Sequence, residues 1–110
     1  MISGKCFDAA TSLFNAWFAI DSARRFAGVG EKEKAEYTVV NARTAVYDAG
    51  SAGVMTESEV KALNDDLNTV VAKIREGEIA VAKENLGSLS EQAFITALEK
   101  VIQCECGDIL

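Results

Sequence analysis

Residues 35–75, AEYTVVNARTAVYDAGSAGVMTESEVKALNDDLNTVVAKIR, decide the fold. Ala35, Val39, Ala42, Val46 and Ala49 recur four, three, four and three residues apart, the spacing that lines one face of an α-helix. Val60, Leu63, Leu67, Val70 and Ile74 form a second row of the same kind. Between them lies Gly50-Ser51-Ala52-Gly53, and glycine suits the left-handed position that follows a helix. Thr56 is placed to cap the next helix, and Glu59 three residues on completes a capping box. Two apolar rows joined by a short loop predict an antiparallel helical hairpin. The small side chains of the first row would let another helix approach closely.

The pattern extends in both directions. Upstream, Cys6, Phe7, Ala10, Leu13, Phe14, Trp17, Phe18 and Ile20 fall on one broad helical arc, with Asp8, Thr11, Ser12, Asn15 and Ser22 opposite. This arc predicts an aromatic-rich first helix laid across the hairpin, each large side chain contributing about 1.5–3 kcal/mol on burial. Gly28-Val29-Gly30 ends it, and residues 31–34 open the second helix. Downstream, Gly77 marks either a break or a close contact within a continuing helix. Ile79, Val81, Ala82 and Leu86 resume an apolar pattern as far as Asn85-Leu86-Gly87. Ser88 or Ser90 then caps a last helix, with Phe94, Ile95, Leu98, Val101 and Ile102 expected to face inward. The expectation is an all-α, compact bundle of four or five helices, one domain over residues 1–103, with residues 104–110 a frayed tail that lacks a period.

Composition narrows the function classes. A chain of 110 residues with 49% hydrophobic content can bury a single core without metal or disulfide staples. The net charge of −6 disfavours binding to nucleic acid or to an anionic membrane, since both need a basic face. No run reaches the roughly 18 apolar residues of a membrane span, and Lys5 before a region broken at Asp8 and Asn15 makes a poor signal peptide. Three cysteines are an odd number, which suits reduced thiols and a cytoplasmic setting. Proline is absent, so helices can run long. Histidine is absent too, which removes the usual general base and the commonest transition-metal ligand.

Four groups of residues could carry function. Asp21 interrupts the first apolar arc, and Arg24 and Arg25 follow at i+3 and i+4, where helical ion pairs form. The group is either a solvated pair where the helix leaves the core or a polar site set into an apolar wall. With Phe14, Trp17 and Phe18 it makes a candidate interaction surface. The second group is the loop that starts at Asp48, which resembles the calcium loop of the EF-hand family. In that register Asp48 stands first, Gly53 sixth, Thr56 ninth and Glu59 twelfth, and the resemblance implies Asp48, Thr56 and Glu59 as oxygen ligands. Positions three and five are Gly50 and Ala52, which have no side-chain oxygen. A fainter echo follows at Gly87, Leu89, Ser90 and Phe94.

The third group is Cys104 and Cys106, two soft thiolate ligands to which Cys6 could add a third. Their spacing is not that of a structural zinc site. The fourth comprises adjacent acids such as Asp65 with Asp66, which read as a solvated helix face. No nucleophile has a histidine partner, and no phosphate-binding glycine loop is present.

The residues therefore predict a non-enzymatic protein–protein interaction module that self-associates as a homodimer, with no cofactor. Two alternatives are a metal-responsive protein using the Asp48–Glu59 loop or the cysteines, and a binder of small apolar molecules lined by Phe14, Trp17 and Phe18.

Overall fold

A computed structural model describes the backbone of residues 4–53 and 55–109 and the side chains of residues 11–53 and 55–102. The described residues form four α-helices and no strand: α1 (Gly4–Gly28), α2 (Lys32–Ser51), α3 (Glu57–Arg75) and α4 (Ile79–Ile109). The start of α3 follows from its sequence. Thr56 Oγ1 accepts from the Glu59 N–H at 3.2 Å, and the Glu59 carboxylate accepts from the Thr56 N–H at 2.9 Å. Glu57 and Glu59 in its first turn, with Lys73 and Arg75 in its last, complement the helix dipole.

Gly77 breaks the chain rather than continuing α3. It takes φ +82°, donates to the Ile74 carbonyl at 3.0 Å, and is followed by Glu78 donating to the Lys73 carbonyl at 2.9 Å. Those two bonds satisfy carbonyls that a helix end leaves open.

The break expected at Asn85-Leu86-Gly87 is absent. α4 runs unbroken through it, so the described residues hold no fifth helix, and its helical backbone also takes in residues 104–109. Leu86, Leu89 and Ser90 are all buried, and their packing offsets the roughly 1 kcal/mol that a helical glycine forfeits against alanine. At 31 residues α4 spans about 46 Å, which accounts for the 49 Å long axis of the bundle.

The core differs from the one the aromatic arc predicts. Among the described side chains of α1 the buried ones are Leu13, Ala16, Ile20, Ala23 and Ala27, while Phe14 and Trp17 are half-buried and Phe18 is exposed; Cys6, Phe7 and Ala10 of the expected arc lie outside the described side chains. In α4 the buried stripe is Ala82, Leu86, Leu89, Ala93 and Ala97, and Phe94, Ile95, Leu98 and Ile102 lie on the surface instead of facing inward. The rows of α2 and α3 are buried as expected, except that Leu63 is only partly so. Alanine explains the arrangement. α1 packs most intimately against α2 and α4, and stripes of small side chains permit that approach where aromatic rings would hold the helices apart.

Two contacts tie α2 to α3. Arg75 near the end of α3 donates to Glu36 near the start of α2 at 2.8 Å. Gly50 near the end of α2 abuts Val60 near the start of α3, so closely that a Cβ on Gly50 would lie 2.7 Å from the Val60 Cγ2. Two glycine substitutions should therefore have opposite effects. Gly50→Ala is expected to destabilise by about 1 kcal/mol or more, overpacking outweighing the gain in helix propensity. At Gly87 a Cβ would meet the Arg24 Cδ at 3.6 Å, an ordinary contact. Gly87→Ala should stabilise by up to about 1 kcal/mol. Urea unfolding of both variants checks the pair.

Candidate interaction surface

α1 and α4 run in opposite directions. The aliphatic stem of Lys83 lies near Gly28, that of Arg24 near Gly87, and Trp17 packs on Phe94. The Trp17 and Phe94 ring centroids are 5.2 Å apart in a tilted pair, and Phe14 meets Phe94 edge-on at 6.2 Å. These rings close the outer side of the α1–α4 seam. Around them the surface stays apolar: Phe18 is 65% and Ile102 60% exposed, and Ile95 and Leu98 are exposed as well. Both helices thus carry two apolar faces, an alanine-rich one turned inward and a bulkier one turned outward.

The polar group in this wall is fully paired. Asp21 keeps only 16% of its side chain exposed and accepts from Arg24 at 2.9 Å and from Arg25 at 3.1 Å. Arg25 is mostly in solvent and Arg24 less so. The structure brings together Phe14 and Trp17 with Phe94 of α4, and Asp21 with Arg24 and Arg25; Phe18 stands in the open on the same helix. Sequence patterning missed the α4 half of this surface, because the stripe of Ala93 and Ala97 is a weaker signal than Phe94, Leu98 and Ile102.

The calcium-loop register is not realised. Asp48 and the next three residues belong to α2, and only residues 52–56 separate it from α3, too short a stretch to wrap a cation in a twelve-residue loop. The Asp48 backbone carbonyl accepts from the Ala52 N–H at 3.0 Å, while Thr56 and Glu59 cap each other. Gly87, Leu89, Ser90 and Phe94 all lie within α4. No group of three potential ligands among histidine, cysteine, aspartate and glutamate occurs among the described residues. The side chains of Cys6, Cys104 and Cys106 lie outside the described residues.

The Thr56 backbone N–H holds the Glu59 carboxyl below its ordinary value of 4.5, with smaller help from the Thr56 hydroxyl and Lys100 and some opposition from burial. A folded-state value below the unfolded one means that this carboxylate stabilises the protein above the unfolded value and loses that effect as pH falls through the folded one. Glu59→Gln keeps a hydrogen-bonding cap and removes the charge. The variant should be less stable than the parent by up to about 1 kcal/mol at neutral pH. The gap should narrow as pH is lowered below 4.5, as urea unfolding between neutral and acid pH would record.

Three further features lie apart from this surface. A cleft of about 160 Å³ opens between α1, α3 and α4, lined by Leu13, Ala16, Met55, Ala62, Leu63 and Ala93 together with Glu59, Asp66, Gln92 and Thr96. On the other side of α3, Asn64 is 5% exposed, and neither its Oδ1 nor its Nδ2 has a hydrogen-bond partner. The Arg43 Nε is likewise buried without a partner. A small all-helical protein is what these features define, with no membrane-crossing helix among the described residues. No protein-family description, curated protein or solved structure matches the chain.

Proposed function

We propose that the protein is a non-enzymatic helical interaction module that self-associates through the outer face of α1 and α4. One observation carries this reading: Phe18, Ile95, Leu98 and Ile102 stand exposed around the Phe14–Trp17–Phe94 cluster. Large apolar side chains gathered on one face mark an interaction site rather than ordinary surface. A stable dimer buries about 800 Å² per partner. A two-helix face roughly 20 Å wide along a 49 Å axis has room for that area. Because the Phe14–Trp17–Phe94 cluster and its exposed neighbours are apolar, they can be their own complement about a two-fold axis. The Asp21–Arg24–Arg25 group would then border the interface, its carboxylate paired with both guanidinium groups and the surplus positive charge carried by the solvent-facing Arg25.

In this reading α2 and α3 form an antiparallel hairpin, supported by the Glu36–Arg75 and Gly50–Val60 contacts, and act as the scaffold that holds α1. A reduced, cytoplasmic setting fits the three cysteines.

Trp17 is the sole tryptophan and reports on the face directly. Dilution of the protein should shift its emission to longer wavelength as dimers separate. Leu98→Glu should show the shifted emission at every concentration, because an unpaired charge at a dry interface opposes association. Emission independent of concentration in the parent and unchanged in the variant would refute the proposal.

A further inference from the structure

The edge of the bundle between α3 and α4 is its most open. These two helices touch sparsely, whereas α1 packs intimately with α2 and α4. Their short connection and the Lys73–Glu78 ion pair at 3.0 Å hold them together at one end. Lys100 and Glu59, 3.8 Å apart, bridge them at the other. Between those ties the 160 Å³ cleft adjoins a second one, and the two share Asp66 and Gln92. The result is a groove floored by Leu13 and Ala16 of α1, running along α3 from Glu59 to Thr69. Eleven residues of helix cover about 16 Å, roughly three turns.

Charge decides what would lie there. Asp65 is neutralised by Lys61 at 2.8 Å, but Asp66 has no hydrogen bond or ion pair with any described residue. That carboxylate sits where the two clefts meet, in a chain of net charge −6. An engineered apolar cavity of about 150 Å³ holds a benzene-sized group, so the cleft suits one branched apolar side chain.

We infer that this groove is a second docking site, on a different edge from the self-association face, for a helical segment of a partner. The segment seats one leucine-like side chain in the cleft and sets a lysine or arginine against Asp66. This is helix-in-groove recognition with a charged group fixing the register.

The test titrates the full-length protein with a synthetic helical peptide of about 15 residues, carrying one leucine and a lysine one turn later, followed by amide NMR shifts. A control peptide replaces that lysine with glutamate. Shifts are expected at Leu63, Asp66, Gln92 and Ala93, with the lysine peptide bound about fivefold more tightly, the worth of one exposed ion pair. Asp66→Lys, at an exposed position, should reverse the preference, and Ala62→Trp should block both peptides by filling the groove from its rim. Equal binding of the two peptides, shifts confined to the Phe18–Ile102 face, or no binding would each overturn the inference.

Discussion

Ile20→Ala is expected to lower the unfolding free energy by about 2–5 kcal/mol, through lost burial and the cavity left behind. Ile20 is fully buried in α1, the helix that packs most closely on both α2 and α4, so neither neighbour can move to fill the space without losing its own contacts. Phe18→Ala, three residues before Asp21 on the same helix, should change the stability of the isolated chain by no more than about 0.5 kcal/mol, as surface substitutions do. The contrast is informative because Phe18 is the larger and more hydrophobic-looking member of the pair. Urea unfolding of the two variants at one low protein concentration measures both effects without contribution from association.

Asn64→Leu should act in the opposite direction and raise stability by about 1–3 kcal/mol. The amide of Asn64 is removed from water and receives no hydrogen bond in return, while Leu67 and Val71 beside it on α3 bury apolar side chains at no such cost. Leucine branches at the same carbon, and its larger volume offsets part of the gain, which places the rise toward the lower end of that range. Asn64→Asp is the matching control and should destabilise, since an unpaired buried charge is worse than an unpaired amide. A rise in the urea midpoint for leucine and a fall for aspartate is the expected pair of results.

Polar residues within apolar helix seams often specify register at the expense of stability. Asn64 stands beside the α2–α3 contact, and Arg43 of α2 also leaves its Nε buried without a partner.

The parts of this fold that were legible in the residues are those where one physical signal acts alone. The α2 and α3 rows alternate apolar and polar cleanly, Thr56 and Glu59 have a capping chemistry that few other pairs match, and Gly77 is the residue type that a left-handed turn requires. Where two signals compete, the stronger one misleads. In α1 and α4 the aromatic and long aliphatic residues define one arc and the alanines another, and hydrophobicity alone points to the first. Close helix packing selects the second, because Ala16, Ala23, Ala93 and Ala97 leave room for a neighbouring backbone. The same inversion put half of the candidate interaction surface out of view: Phe94, Ile95, Leu98 and Ile102 read as core and stand outside.

The Asn85-Leu86-Gly87-Ser88 segment shows a second kind of competition. Its composition favours a turn, yet burial of Leu86 and Leu89 on one face of α4 carries the helix through. The Asp48–Glu59 register shows a third, since the glycine, hydroxyl and carboxylate that suggest a cation loop are the same residues that end one helix and cap the next. The acidic edge of the α3–α4 groove was visible only as two adjacent aspartates, and nothing in their spacing separates Asp66 from its paired neighbour.

Sedimentation equilibrium of the full-length protein and of Leu98→Glu weighs the outward-facing seam of α1 and α4 most directly. The parent should fit a species of twice the 11.8 kDa chain mass at micromolar concentration, and the variant a single 11.8 kDa species with unchanged helical circular dichroism. A parent that sediments at 11.8 kDa across the accessible concentration range would show that those side chains face water in the working protein.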